Sequence, residues 1–160
     1  MPSIKIDKRD LDIIRLLLGN SRLSAREIAR RLGISTGTVQ ARMARLEANG
    51  VIKNYTITLD MEKLGYQFPV IMDIRVSEGK IRDVEGALSK LSNVYAVYDV
   101  TGEYDISVIA WFRERSQLDS FIKTVNEMEY VERTNTKLIL NIITEGKLSG
   151  YIKELGDYLS

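Results

Sequence analysis

The chain has 160 residues, 44% hydrophobic and 28% charged, a balance expected of a soluble globular protein. It has no Cys and no His, which excludes disulfides, thiolate nucleophiles, Ser-His-Asp catalysis and the usual zinc ligand sets. The net charge of +1 hides a division: residues 1–54 carry eleven bases and five acids, net +6, and the remainder carries twelve bases and seventeen acids, net −5. One end suits a polyanion and the other does not, although chance unevenness on solvated faces gives the same sums. No apolar run approaches the ~20 residues of a membrane span. Met1 to Lys8 lacks a signal-peptide core, so no membrane partner and a cytoplasmic location are expected.

Asp7 can cap a first helix, with Asp10 at its third position and Ile6 and Leu11 as a hydrophobic staple. Leu11, Ile14, Leu17 and Leu18 follow at helical spacing, and Gly19-Asn20 ends the run. Ser24-x-x-Glu27 reads as a capping box for a second helix that stops at Gly33. Ser35 caps a third helix, whose inner stripe is Val39, Met43 and Leu46 and which ends at Gly50. Ala29 is small where the second and third helices would cross, and Gly33 sits at the turn between them. Two short helices across so tight a turn are the shape of a helix-turn-helix, though an ordinary three-helix bundle has the same stripes.

With Val39 pointing inward, an advance of 100° per residue turns Gly37, Ala41, Ala44 and Ala48 outward, flanked by Thr38 and Arg45 on one side and Gln40 and Glu47 on the other. Small outward residues let a helix sink into the major groove of double-stranded DNA, though alanine also simply favours helix. Thr38, Gln40 and Ala41 are expected nearest the base edges. Ser35, Thr36, Arg42 and Arg45 are expected at phosphates, as are Arg22 and Ser24 before the second helix.

Residues 1–54 thus read as a DNA-binding domain and 55–67 as a hinge strand and linker, the strand spanning Val51 to Leu59. Residues 68–145 read as a second domain of order βαββαβ, the ferredoxin-like arrangement, making the whole chain α+β. Its strands are expected at Phe68 to Val76, Val94 to Thr101, Tyr104 to Phe112 and Thr134 to Ile143, with a helix before the second strand and one capped by Ser116 after the third. Ile109 and Trp111 oppose Val108, Ala110 and Phe112, and Ile139 and Ile143 oppose Leu138, Leu140 and Ile142. A sheet apolar on both faces with helices on one predicts a homodimer through the other. Residues 146–160 form an extension with Leu148, Tyr151, Ile152, Leu155 and Leu159 at helical spacing, expected to pack on the domain or on a neighbouring dimer.

Across residues 6–145 the chain resembles the leucine-responsive/asparagine-activated regulator family (Lrp/AsnC). The marks are Asp7-x-x-Asp10, Ser24-Ala25-Arg26-Glu27-Ile28-Ala29, Leu32-Gly33-Ile34-Ser35, Arg42-Met43-Ala44-Arg45-Leu46-Glu47, Gly50-Val51-Ile52 and Val100-Thr101-Gly102-Glu103-Tyr104-Asp105, in this order. The resemblance implies a winged-type helix-turn-helix, a hinge strand and a ligand-sensing βαββαβ domain whose dimers assemble into octamers or larger discs. It also implies a small-molecule effector, usually an amino acid, between dimers at Gly102, Glu103, Tyr104 and Asp105, with Thr134, Asn135 and Thr136 as a second contact segment. Gly102 allows a ligand close to backbone N–H groups, and Asp105 suits an α-ammonium group. The same two residues also fit a hairpin glycine and a turn-stabilising carboxylate.

The expected function is sequence-specific transcriptional regulation by a dimer that responds to an effector. The rival within nucleic-acid binding is an architectural, low-specificity DNA-wrapping protein. An enzyme is not expected, since no nucleophile-base pair, metal cluster or phosphate loop is present in the sequence, and no cofactor is expected.

Overall fold

A computed structural model describes residues 4–146 and 148–158. The elements in chain order are α1 (Lys8–Gly19), α2 (Ala25–Leu32), α3 (Thr36–Ala48), β1 (Phe68–Val76), α4 (Ile81–Leu88), β2 (Val94–Asp99), β3 (Ile106–Phe112), α5 (Arg115–Asn126), β4 (Val131–Leu138) and α6 (Ser149–Tyr158). They fall into two units: Met1–Thr58 with Thr144–Ser160, and Leu59–Ile143.

In the first unit each helix starts where a side chain satisfies orphan N–H groups. Asp7 and Asp10 bond reciprocally, each accepting the other's backbone N–H at 3.0 Å. Ser24 Oγ accepts from Glu27 N at 3.2 Å and Ser35 Oγ from Thr38 N at 3.1 Å. The expected second capping box is only half made: the Glu27 carboxylate turns to Arg30 at 2.7 Å and Arg31 at 2.9 Å instead of back to Ser24. Gly33 takes φ +64°. There the Ile34 N–H reaches Ala29 O at 3.1 Å and closes α2 before α3 begins. Ile13, Leu17, Ile28, Ala29 and Val39 form the core of these helices.

The expected hinge strand is not formed: among the described residues the first unit contains no strand. Val51 and Ile52 N–H groups both bond to Leu46 O, ending α3, and the chain then runs extended with Tyr55 and Ile57 exposed. An extended segment becomes a strand only with a ladder partner, and among the described residues none pairs with it. The C-terminal helix α6 belongs to this unit. Its Gly156 is buried against Leu11 and Arg15 of α1, and Arg15 Nη2 donates to Ile152 O at 3.2 Å.

The second unit is an antiparallel sheet of order β2-β3-β1-β4 with α4 and α5 on one face. Val70, Met72, Ile74 and Val76 alternate inward with Ile106, Val108, Ala110 and Phe112 against Val84, Leu88, Phe121 and Val125. Three expected boundaries move. The α5 helix is capped by Glu114 rather than Ser116, whose hydroxyl donates to the Glu114 carboxylate at 3.2 Å. The β4 strand runs Val131–Leu138 instead of 134–143, because β1 begins at Phe68 and the last rung is Ile139 N–H to Pro69 O. Strands β2 and β3 stop at Asp99 and start at Ile106, leaving a wider turn closed by Val100 N–H to Asp105 O at 2.9 Å.

The sheet's other face is less apolar than expected. Asp73 takes Ser107 Oγ at 2.9 Å and Lys137 Nζ, and Arg75 and Arg133 stand beyond them. The apolar part is Ile71, Ile109 and Trp111, while Leu140 and Ile143 lie past the end of β4 and are exposed.

Candidate DNA interface and effector-turn cluster

Two surfaces collect the residues singled out above. The first is the outer side of α3. Thr36, Gly37, Thr38, Gln40, Ala41, Ala44 and Ala48 are all exposed, while Val39 and Leu46 are buried beneath. Ser35 therefore fixes where the helix begins, and Val39 fixes which side it shows. The Ser35 and Thr38 hydroxyl oxygens stand 2.8 Å apart, a bond in which either can donate.

Arg42 and Arg45 are placed differently from the phosphate role read from the sequence. Arg42 Nη1 donates to Asp7 at 2.7 Å and to Asp10 Oδ1 at 2.8 Å. Arg45 Nη2 donates to Asp10 Oδ2 at 2.5 Å, and its Nη1 to Lys5 O at 3.2 Å. Asp10 is fully buried, so both guanidiniums are drawn off the outer face to neutralise it. Burial pushes the Asp7 carboxyl up, but the Arg42 hydrogen bond and the Asp10 N–H outweigh it and hold the group below its ordinary 3.8. Hydrogen bonds from Asp7 and Asp10 raise the Arg42 guanidinium above its usual value.

Arg22 and Ser24 stand at the start of α2 as expected, both exposed. Arg26, the second residue of α2, is also exposed and is not among the residues singled out from sequence. Among the described residues no acid pairs with Arg22 or Arg26 within salt-bridge distance, whereas Arg30 and Arg31 are occupied by Glu27. Those two hydrogen bonds hold the Glu27 carboxyl at about 2. Two exposed cations of the reading head thus lie at the front of α2.

The second surface is the turn between β2 and β3. Gly102 has φ +125°, a conformation L side chains rarely adopt. Val76 lies past the last β1–β3 pair, Ile74 with Ile106, so its N–H has no β3 carbonyl opposite it, and Asp105 Oδ2 accepts it at 2.8 Å. Arg75 Nη1 lies 3.6 Å from Asp105 Oδ1 and donates to Glu103 O at 3.0 Å. Arg133 Nη2 meets Glu103 Oε1 at 2.5 Å, with its guanidinium 5.1 Å from the Tyr104 ring centre. Glu103, Tyr104 and Asp105 are therefore gathered with two arginines that the sequence reading did not include.

The second contact segment divides across the pleat. Asn135 is exposed and pairs in register with Asp73 on the open face. Thr134 and Thr136 register with Ile74 and Met72, which puts them on the helix-covered face, and Thr134 Oγ1 donates to Asn126 Oδ1 at 2.8 Å. The structure does not bring these two threonines to the turn. Asp105 is already committed to a backbone N–H and to Arg75, the turn-stabilising role.

Residues 6–53 match the family described as winged helix-turn-helix DNA-binding, and residues 69–148 match the Lrp/AsnC ligand binding domain. The chain is 45% identical over 142 residues to an uncharacterised HTH-type transcriptional regulator of Pyrococcus furiosus, covering 89% of this chain and 96% of that one. Among solved structures, LrpC of B. subtilis is similar with a TM-score of 0.81 at 29% identity, over 88% of this chain and 99% of LrpC. A transcriptional regulator of Neisseria meningitidis, solved as a complex with L-Met, shares the fold at a TM-score of 0.82 and 22% identity, over 92% of this chain and 99% of that one. A reading head and a ligand-binding domain in this order place the chain in the Lrp/AsnC family of DNA-binding transcriptional regulators.

Proposed function

We propose that the protein is a sequence-specific regulator that binds DNA as a homodimer, assembles further into octamers, and responds to a small-molecule effector, an amino acid. One observation carries the DNA half: α3 is capped by Ser35 and anchored behind by Arg42 and Arg45, so Thr38, Gln40 and Ala41 stand exposed on a fixed helix. Arg22, Ser24, Ser35 and Thr36, with Arg26, then supply the phosphate contacts from exposed positions around it.

The dimer reading rests on the open sheet face, where Ile71 and Ile109 are apolar and partly exposed. The effector reading rests on the ligand-binding family of the second unit and on the Gly102–Asp105 turn. That the fold-sharing Neisseria regulator was solved with L-Met supports an amino acid as its class. At the turn, a ligand carboxylate would compete with Glu103 for Arg133, and its ammonium group would be met by the displaced Glu103. The protein would work in the cytoplasm, where its DNA is.

The test is selection of an operator from a random duplex library, followed by titration with and without each amino acid at fixed salt. A specific-to-nonspecific affinity ratio of at least about 10³ is expected. A ratio near one supports the architectural reading instead. Equal affinity with and without every amino acid removes the effector.

A further inference from the structure

We propose that Thr38 reads a thymine 5-methyl group in the operator, because its hydroxyl is held toward Ser35 at the α3 cap and its methyl is the group turned away from that bond. The proposal rests on the reading that α3 enters the major groove.

Threonine is an ambiguous base reader: its hydroxyl can donate or accept toward several bases, and its methyl can touch thymine alone. The cap narrows that choice here. Ser35 Oγ accepts the Thr38 N–H at 3.1 Å and stands 2.8 Å from Thr38 Oγ1, so the Thr38 hydroxyl is directed at Ser35. The residue itself remains exposed. Its neighbours on the helix surface are Ala41, three residues on, and Arg42, four residues on. Ala41 is exposed and adds a second methyl. Arg42, which beside Thr38 would otherwise reach guanine O6 and N7, is held on Asp7 and Asp10. Beside Thr38 on α3 the exposed group is thus the Ala41 methyl, with the Arg42 guanidinium engaged by its two carboxylates. Thymine is the base whose major-groove edge carries a methyl.

The experiment uses the full chain and the operator it selects. Each thymine is replaced singly by deoxyuracil, which removes only the 5-methyl group. For the wild-type protein, one position per half-site should lose about fourfold in affinity, the worth of one buried methyl. The variant Thr38→Ser keeps the hydroxyl for Ser35 and lacks the methyl. It should bind the thymine operator about fourfold more weakly and show no further loss with uracil. Thr38→Val keeps the methyl and lacks the hydroxyl. It should retain the preference for thymine even where its melting temperature falls. Uracil being neutral at every position overturns the proposal, as does a uracil penalty that persists undiminished in Thr38→Ser. A protein that selects no sequence at all overturns the underlying reading. One that selects a sequence and ignores the methyl groups overturns only this inference.

Discussion

Arg42 of α3 and Asp10 of α1 meet at 2.8 Å across a sequence separation of 32 residues, and Asp10 is fully buried. Arg42 is three-quarters buried at its side chain and bonds Asp7 at the same time. The recognition helix is therefore fastened to the first helix by charge as well as by Val39 and Leu46. Removing one partner of a buried pair leaves the other charge uncompensated, at a cost of several kcal/mol when nothing else neutralises it. Arg45 still covers Asp10, so Arg42→Met should lower the stability of the first unit by about 2 kcal/mol. Thermal unfolding followed by circular dichroism measures this. Well below the melting temperature, the salt slope of DNA binding should be unchanged. A slope lowered by about one would instead mean a phosphate contact by Arg42.

The phosphate term is expected from Arg22, just before α2, and Arg26, its second residue. Arg22→Ala and Arg26→Ala should each reduce the slope of log K against log salt by about 0.9 and weaken binding to all sequences alike. Neither should shift the melting temperature measurably, since no described carboxylate depends on them. Binding titrations at four or more salt concentrations on specific and random DNA give both numbers.

Acid should loosen the same helix pair, and the sign follows from Asp7. Its carboxyl lies below 3.8 in the folded chain, chiefly through Arg42 and the Asp10 N–H working against burial. Folding then favours the charged form. The stabilisation is complete above pH ~4 and is lost as pH falls through the folded value. Asp7→Asn keeps a good N-cap and removes the charge. At pH 7 it should cost less than about 1 kcal/mol, because the side chain is half exposed. The gap between variant and wild type should be smaller at pH 3 than at pH 7, since pH 3 lies below the ordinary 3.8. Urea unfolding at the two pH values checks it.

How far this was legible in the residues differs from place to place. Asp7, Ser24 and Ser35 mark helix starts because a short oxygen-bearing side chain before an apolar stripe has one favourable use, and all three caps formed. Strand ends are set by the partner rather than by the strand. Nothing in the apolar run Leu138 to Ile143 reveals the register that sets Leu138 against Val70 and so ends β4 before Leu140. The fate of a charged side chain is equally nonlocal. Arg42 and Arg45 look like phosphate ligands by their position on α3 until folding buries Asp10 beside them. In the turn cluster, Glu103 and Asp105 were found by their motif, while Arg75 and Arg133 arrive from other strands and bear no local mark. By the two-residue alternation Thr134 and Thr136 fall on the face opposite Asn135, which the motif alone does not show.

The C-terminal helix yields the last expectation. Periodicity found α6 and left open what it covers, and Gly156 answers that. It is buried, a Cβ there would overlap Arg15 Nη2, and Leu11 Cδ1 lies 3.7 Å from the same point. Leu11 is 1% exposed and lies outside the Ile13-Leu17-Ile28 cluster, and α6 covers it. Deleting residues 147–160 should therefore expose Leu11 and cost the first unit about 2 kcal/mol, the worth of burying one leucine. Gly156→Ala tests the contact more finely. It gains about 1 kcal/mol of helix propensity and loses about as much if Arg15 must release Ile152 O, its partner at 3.2 Å. The two effects should nearly cancel. Arg15→Ala removes the obstruction, so in that background Gly156→Ala should become stabilising by about 1 kcal/mol. A double-mutant cycle of melting temperatures reads the coupling directly. Additive effects of the two substitutions would show that Arg15 does not lie over Gly156 in solution.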